Sequence, residues 1–469
     1  MATTIAAKAT TSLSNKPKMA VNSLLLTVIV LLAPNAIPRT SGFQISRWKL
    51  RSNGQLVNEV NHKSYEPSTI TNYIVGDRML DTVQELPDIL DQHPLLENDG
   101  FLVKALQKKE DECLPGCEHG FFTSVTKRAK LHYRRFLPKG KPKGIVIWMH
   151  GITSFSGVAF NVEGRKMNMA LMSETLTKQG YACYAFDMYG HGYSEGVRHY
   201  VKNWKHNLKD YQNFVNLVSQ QHDYQGDDHK DAADHIPIFL CGESYGGCLS
   251  LHLAHHYQEH PEQAPKGFDS IILLAPAVQA EMPPYPVYFA LRYGLAPLFP
   301  RWIPFFMPHP VCPENIWRDE TVRALHDEEI QEDISLGGGG KPFRLGTAVS
   351  LIKALKTLRK RVIPKLKVPF CVIHGVQDYA IPIEGTEHLL KHAQTPAKDR
   401  AVLRLKEAYH DLLADPDAER TVNFITQWID NRLDKKRMKK LEKASAQASF
   451  LETSREQRRS TKGSEVLLP

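Results

Sequence analysis

The run Gly242-Glu-Ser-Tyr-Gly-Gly247 sets one serine among glycines, between the apolar stretch Ile236–Cys241 and the helix-forming stretch Gly247–His260. A serine hydroxyl is a poor nucleophile near neutral pH and needs an adjacent base, which a carboxylate normally orients. On a sharp strand-to-helix turn its Oγ projects from the strand end, and small flanking residues let the backbone make that turn. The helix start then lends backbone N–H groups to negative charge that develops beside it. Ser244 is therefore the candidate nucleophile, and the chemistry to look for is acyl transfer.

Around such an elbow the partners follow in the order carboxylate, then histidine, each just past a strand end. The strand-like Val368–His374 runs into Val376-Gln-Asp378, and Ala401–Glu407 runs into Tyr409-His410-Asp411. Asp378 and His410 fit both the order and the positions. The other candidates fit less well. His374 precedes the acid, Asp187 precedes the serine, and Asp411 and Asp415 follow the histidine. Acyl transfer also needs donors for the developing oxyanion, worth roughly 10²–10³ in rate each. The N–H of Tyr245 follows the nucleophile directly, and the loop after Gly144–His150 offers the N–H of Ile152. His150 itself reads as a buried structural histidine. None of this chemistry calls for a metal or a cofactor. Cys113 and Cys117 beside His119 have no second Cys/His pair to complete a metal site. They read as a local disulfide or two free thiols. The total of seven cysteines, mostly in apolar runs, does not make a disulfide framework.

The elements that must position these residues alternate from Phe121 onward, as in a mostly parallel sheet covered on both faces. A hairpin is expected at Phe121–Val125 and Lys130–Leu137, and strands at Gly144–His150, Tyr181–Asp187, Ile236–Cys241, Ser270–Leu274, Val368–His374 and Ala401–Glu407. Helices are expected at Arg165–Gly180, Asn203–Gln220, Gly247–His260, Thr347–Lys360, Gly385–Gln394 and Glu419–Leu433, with another around Asp81–Leu90. The alternation stops from Pro276 to about Gly346, where nine prolines fall by Pro310 within an aromatic run. That interruption reads as a lid inserted at 277–346 into a core of 116–276 and 347–433.

The net charge of +8 resides in the ends: residues 1–60 carry +6 and residues 431–469 another +6, leaving about −4 between them. A nucleic-acid binder would concentrate basic charge on its folded domain, so that class is set aside. The run Leu24–Ala33 after Lys8, Lys16 and Lys18 has the length of a signal-peptide core and falls short of the ~20 residues that span a bilayer. Residues 1–38 are read as a signal peptide or signal anchor, giving the secretory pathway or endoplasmic reticulum. Residues 39–115 form an extension whose basic, acid-poor beginning makes plastid delivery by a bipartite presequence the alternative. The tail 434–469 is basic, helical or disordered, and suited to weak contact with anionic lipid.

With these residues in place, the chain resembles the monoacylglycerol lipase and lysophospholipase family of α/β-hydrolases. The match lies in Trp148-Met-His-Gly151, Phe186-Asp-Met-Tyr-Gly-His-Gly-Tyr-Ser-Glu-Gly196, Gly242–Gly247, His374–Pro382 and Tyr409–Leu413, and it covers residues from about 120 to 432. The resemblance implies an α/β-hydrolase fold with a lid, and a lipid ester as substrate, cleaved through an acyl-enzyme. It implies that the 186–196 segment shapes the loop beside the elbow. It also implies that lid residues Tyr285, Tyr288, Phe289, Trp302 and Phe305 accommodate the acyl chain, with peripheral membrane contact through the lid and the basic tail. A small soluble ester, or acyl transfer by the same triad, is the alternative; a receptor or scaffold that has lost catalysis is a further one. Dehalogenases and epoxide hydrolases of this fold need a carboxylate where Ser244 stands. The pair His229 and Asp234 spells an acyltransferase-like pattern in a polar stretch and reads as coincidence.

Overall fold

The structure, a computed structural model, describes residues 48–50, 56–58, 113–223, 235–280, 283–305, 307–332 and 342–463. The expected signal and transit segments, the helix around Asp81–Leu90, the His229/Asp234 pair and the glycine run 337–340 lie outside the described residues. The chain divides into two units. Within the first, β1 (Trp48–Leu50) pairs antiparallel with β2 (Leu56–Asn58), and a short helix spans Tyr285–Phe289. The sheet, its helices and both cavities below belong to the second unit, residues 82–282 and 290–469.

An eight-stranded sheet organises that unit. Its strands are β3 (Cys117–Thr123), β4 (Lys130–Phe136), β5 (Gly144–Met149), β8 (Tyr181–Phe186), β9 (Ile238–Glu243), β10 (Phe268–Leu274), β11 (Phe370–Gly375) and β12 (Arg400–Leu405). The order is β12-β11-β10-β9-β5-β8-β4-β3. Only the β3–β4 and β4–β8 pairs are antiparallel. Strands β5, β8, β9 and β11 are buried along their whole length, as the continuous apolar runs require when both sheet faces are covered. Successive residues of β5 serve opposite cores. Ile145, Ile147 and Met149 pack on one face, and Val146 and Trp148 on the other.

Helices cover both faces. Helices α2 (Trp204–Asp223), α3 (Tyr245–Glu259), α5 (Leu345–Thr357) and α6 (Glu384–His392) supply the first core. The second takes its side chains from α1 (Asn168–Lys178) and α7 (Ala418–Gly463). The start of α2 is set by Asn203, whose side-chain oxygen accepts the Lys205 N–H at 3.2 Å. Its inner stripe, Asn207, Tyr211, Phe214, Val215 and Val218, follows helical spacing. A buried apolar side chain of this size contributes about 1.5–3 kcal/mol.

Three elements differ from the sequence reading. The first hairpin begins at Cys117, four residues early. The helix expected from Arg165 begins at Asn168, because β6 (Ala159–Val162) and β7 (Arg165–Met167) form a hairpin first. Its two-residue turn is Glu163-Gly164, both at positive φ, the conformation that matches strand twist. The last helix runs on past Leu433 to Gly463. Between β10 and α5 the described residues add no strand; they form short helical pieces, including Pro313–Ile316, and α4 (Glu320–Glu332). Cys183, Cys241, Cys248, Cys312 and Cys371 are free thiols.

Candidate active site

Ser244 stands between the end of β9 and the start of α3 with φ 52° and ψ −117°. A non-glycine residue there carries about 1–3 kcal/mol of backbone strain, which the surroundings must hold. They hold it by hydrogen bonds: the Ser244 N–H donates to the Leu274 carbonyl at 2.9 Å, and its own carbonyl accepts from Ala277 at 2.8 Å. The flanking glycines are needed for space. A Cβ on Gly242 would lie 2.4 Å from the Gly246 oxygen, and one on Gly246 would lie 2.1 Å from the Met149 oxygen.

Asp378 follows β11 and His410 follows β12. His410 Nδ1 is 2.7 Å from Asp378 Oδ2. The other carboxylate oxygen accepts the N–H groups of Ala380 at 2.9 Å and Ile381 at 2.8 Å. A second histidine, His374, which the sequence offers as the less well placed alternative to His410, meets the same carboxylate. His374 Nε2 lies 3.1 Å from Asp378 Oδ2, and its Nδ1 lies 2.7 Å from Thr386 Oγ1. Burial opposes ionisation of Asp378. The charge of His410 and the hydrogen bonds from both histidines outweigh it and hold the carboxyl below its usual range. For His410 burial disfavours the cation, but the Asp378 charge and hydrogen bond raise its pKa above 6.5, helped by Glu243 and Asp411. The bond from Nδ1 leaves Nε2 as the nitrogen able to exchange a proton.

Ser244 and His410 share one small cavity of about 60 Å³, walled by Phe155, Val158, Val311, Ile316 and Trp317. Gly151 and Ile152 line it too, and a Cβ on Gly151 would sit 3.3 Å from the Ser244 Cβ. The loop after β5 therefore passes against the serine. Among the described residues neither the Ile152 nor the Tyr245 N–H donates to a turn or loop carbonyl. His150 fixes that loop from beneath. Its Nδ1 lies 2.7 Å from the Gly151 oxygen, and its Nε2 accepts the Met188 N–H at 3.0 Å. Burial pushes its pKa down to about 4, so it is neutral.

Glu243, one residue before the nucleophile, also lines the cavity. Burial and the Asp411 charge, opposed by His410, push its carboxyl up to about 8. Asp187, at the end of β8, takes no part in the cavity. It is fully buried and accepts from His132 Nδ1 at 2.8 Å, Arg134 Nη1 at 3.2 Å, and the Ser156 and Tyr193 N–H groups at 2.7 and 3.0 Å. A Cβ on Gly192 would fall 2.4 Å from its carboxylate, which explains a glycine in that loop.

The five lid residues are placed differently from one another. Tyr285 and Phe289 are exposed and Tyr288 is buried, all on the short helix of the first unit. Trp302 packs against Ala296, Leu345 and Val349, and Phe305 is 85% exposed. Neither Trp302 nor Phe305 lines the cavity at Ser244. The apolar wall comes from Phe155, Val158, Val311, Ile316 and Trp317. Of these the sequence offered no periodic signal, because they sit in loops brought together from distant parts of the chain.

A strained serine, a loop passing against it and a histidine held by a buried carboxylate form an arrangement that can support nucleophilic attack on an ester. Comparison with known proteins points the same way. The chain is 26% identical over 319 residues to the caffeoylshikimate esterase of Arabidopsis thaliana, covering 66% of this chain and 85% of that one. To the human monoglyceride lipase it is 25% identical over 304 residues, 64% of this chain and 87% of that one. An uncharacterized abhydrolase domain-containing protein of Dictyostelium discoideum is 25% identical over 307 residues, 65% of this chain, which spans only 28% of that longer relative. Among solved structures, a soluble variant of the Saccharomyces cerevisiae monoglyceride lipase shares the fold at a TM-score of 0.51 and 19% identity, covering 67% of this chain and 94% of that one. Residues 140–417 match the Hydrolase_4 family, described as "Serine aminopeptidase, S33", and the chain belongs to that family of α/β-hydrolases.

Proposed function

We propose that Ser244, His410 and Asp378 act as nucleophile, base and orienting acid in the hydrolysis of carboxylic esters of lipids, a monoacylglycerol or a lysophospholipid. His410 Nε2 takes the Ser244 proton as Oγ attacks the ester carbonyl, and the oxyanion is met by the N–H groups of Tyr245 and Ile152. The tetrahedral species expels the alcohol, which leaves with the proton from His410. Water, deprotonated by the same nitrogen, then attacks the acyl-enzyme and frees the acid and the serine. The observation that carries this reading is the 2.7 Å contact of His410 Nδ1 with Asp378, which leaves Nε2 as the proton-exchanging nitrogen in a cavity that Ser244 also lines.

The lipid part rests on the apolar wall and on the relation to monoglyceride lipases. Leu298, Phe299 and Phe305 are exposed, which supports a peripheral membrane contact, with the basic tail assisting. Delivery through the secretory pathway, with the plastid as alternative, stays attached to the first 60 residues. Among the described residues no helix is long and apolar enough to cross a membrane. A second reading, a small soluble ester, is favoured by the cavity itself. At about 60 Å³ it is far below the ~300 Å³ at which pockets for drug-sized ligands begin, so a long acyl chain requires the wall to move.

The test is a fluorophosphonate label on the purified protein and on Ser244→Ala, followed by turnover of long-chain monoacylglycerols, lysophospholipids, short soluble esters and an aminoacyl anilide. Label lost in the variant with long chains preferred supports the lipid reading. Turnover of short esters alone moves the substrate to the second reading, and anilide cleavage alone makes the enzyme a peptidase. A folded protein that takes no label ends the enzyme proposal.

A further inference from the structure

A second cavity, about 510 Å³, lies among the loop 197–203, the start of α2, the segment 292–301 and α5, and shares no lining residue with the cavity at Ser244. Among the described residues its wall carries Lys127, Lys202, Arg292, Arg301 and Lys353 together with His206, and no carboxylate. The chain between the basic ends has a net charge of about −4, so five cations around one hollow run against the local average. The electrostatic consequence is visible at His206. Burial and the charges of Lys127, Lys209 and Lys202 push it below its usual value.

Backbone charge adds to the side chains. Val201, Lys202, Asn203, His206 and Asn207 all line the cavity, so the positive end of the 20-residue α2 faces it, equivalent to roughly half an elementary charge. The rest of the wall is apolar or aromatic, with Tyr200, Val201, Pro300 and Val349. The volume falls within the roughly 300–1,000 Å³ of small-molecule sites. A concave, cationic wall beside an apolar one suits an anion carried on an organic body.

We propose that this cavity is a second binding site, for a phosphate-bearing ligand whose phosphate is held among Lys202, Arg301 and Lys353. The phosphate comes either on a small soluble ester or on a lipid headgroup, and the recognition chemistry is the same. The site is independent of the reaction at Ser244 and stands whether or not that reading holds.

The full chain and its Lys202→Gln/Lys353→Gln variant are titrated calorimetrically with glycerol 3-phosphate, with glycerol as the neutral control. Both are also sedimented with phosphatidylcholine vesicles with and without lysophosphatidate. Thermal melting checks that the variant is folded. Binding of glycerol 3-phosphate but not glycerol, weakened roughly tenfold or more in the variant, supports the site and makes the ligand soluble. Binding only to lysophosphatidate vesicles, again lost in the variant, supports it and makes the ligand a lipid. No binding of either probe to the wild type overturns the proposal. So does binding that the folded variant keeps, because the basic tail would then be the receptor.

Discussion

Trp317 donates its indole N–H to Oδ2 of Asp411, the residue after His410, at 2.8 Å. The same carboxylate accepts from the Asn168 side chain at 2.9 and 3.0 Å and from the N–H groups of Leu413 and Ala414. One residue before Trp317, the Ile316 carbonyl accepts the N–H groups of both His410 and Asp411, at 3.1 and 3.2 Å. The segment between β10 and α5 is thus stitched to the loop that carries the histidine.

Replacing Trp317 by Phe keeps one aromatic ring in the wall and removes the donor together with part of the indole's bulk. A hydrogen bond to a charged group contributes about 1.5–3 kcal/mol. Trp317→Phe is expected to lower kcat on a short soluble ester by roughly tenfold, with KM little changed. A variant with wild-type kcat would show that Asp411 is held sufficiently by Asn168 and the backbone.

The rate should depend on pH as a narrow bell. His410 must be neutral to accept the serine proton, and its pKa is raised above 6.5, so kcat/KM falls as pH drops through a value above 6.5. Glu243 is neutral below about 8, and above it places a negative charge in the wall of the cavity that Ser244 lines, where a developing oxyanion is disfavoured. The rate therefore falls again near pH 8. Glu243→Gln should abolish the alkaline limb and move the acid one at most slightly downward, since the Glu243 charge is a lesser contributor to the raised His410 pKa. An unchanged alkaline limb in that variant assigns it to another group.

His374 bears on the reaction through Asp378. His374→Gln is expected to reduce kcat/KM by roughly 10- to 100-fold, since one buried donor to the carboxylate is lost or misplaced. The acid limb should shift with it, because an altered Asp378 changes the basicity of His410. A rate loss with an unmoved limb would mean general damage to the fold.

Strain at Ser244 predicts an unusual order of stabilities. Ser244→Gly relieves the positive φ, whereas Ser244→Ala keeps it. Glycine costs about 0.5–1 kcal/mol in chain entropy against a strain of about 1–3 kcal/mol. The glycine variant should therefore exceed the alanine variant in stability by about 1 kcal/mol in urea unfolding, both being inactive. Equal stabilities would show that the surrounding bonds leave no strain to release.

The last helix is anchored by charge near its middle. Arg432 Nε bonds Asp269 Oδ1 at 2.7 Å, and Lys436 Nζ lies 2.9 Å from Oδ2. Burial opposes ionisation of Asp269, but the Arg432 hydrogen bond and both charges lower its pKa. The stability this contributes is present above pH 3.8 and is lost as pH falls through the lower folded value. Arg432→Ala should destabilise by about 2–3 kcal/mol at pH 7, less at pH 3. The pH comparison separates the ion pair from lost packing.

What could be read from the chain were the features with tight local rules. Gly242 and Gly246 admit no side chain, so the elbow announced itself, and chain order with strand ends pointed to the Asp378–His410 pair that the structure holds at 2.7 Å. What could not be read depended on tertiary neighbours. His374 meets Asp378 only because β11 and the start of α6 place Thr386 behind it. The Glu163-Gly164 turn was hidden in a stretch whose composition suits a helix, and the second cavity draws its cations from four separate segments. The lid aromatics stood out by composition, yet composition does not say which of them reach the serine.

The double acceptor at Ile316 constrains how the small cavity can grow. That carbonyl cannot swing away without taking the histidine loop with it. Widening by that route would switch the base off at the moment substrate entered. Phe155 and Val158 pack in one apolar cluster with Trp317, against which Ile316 also rests, so this wall and the loop that carries the histidine give way together or not at all.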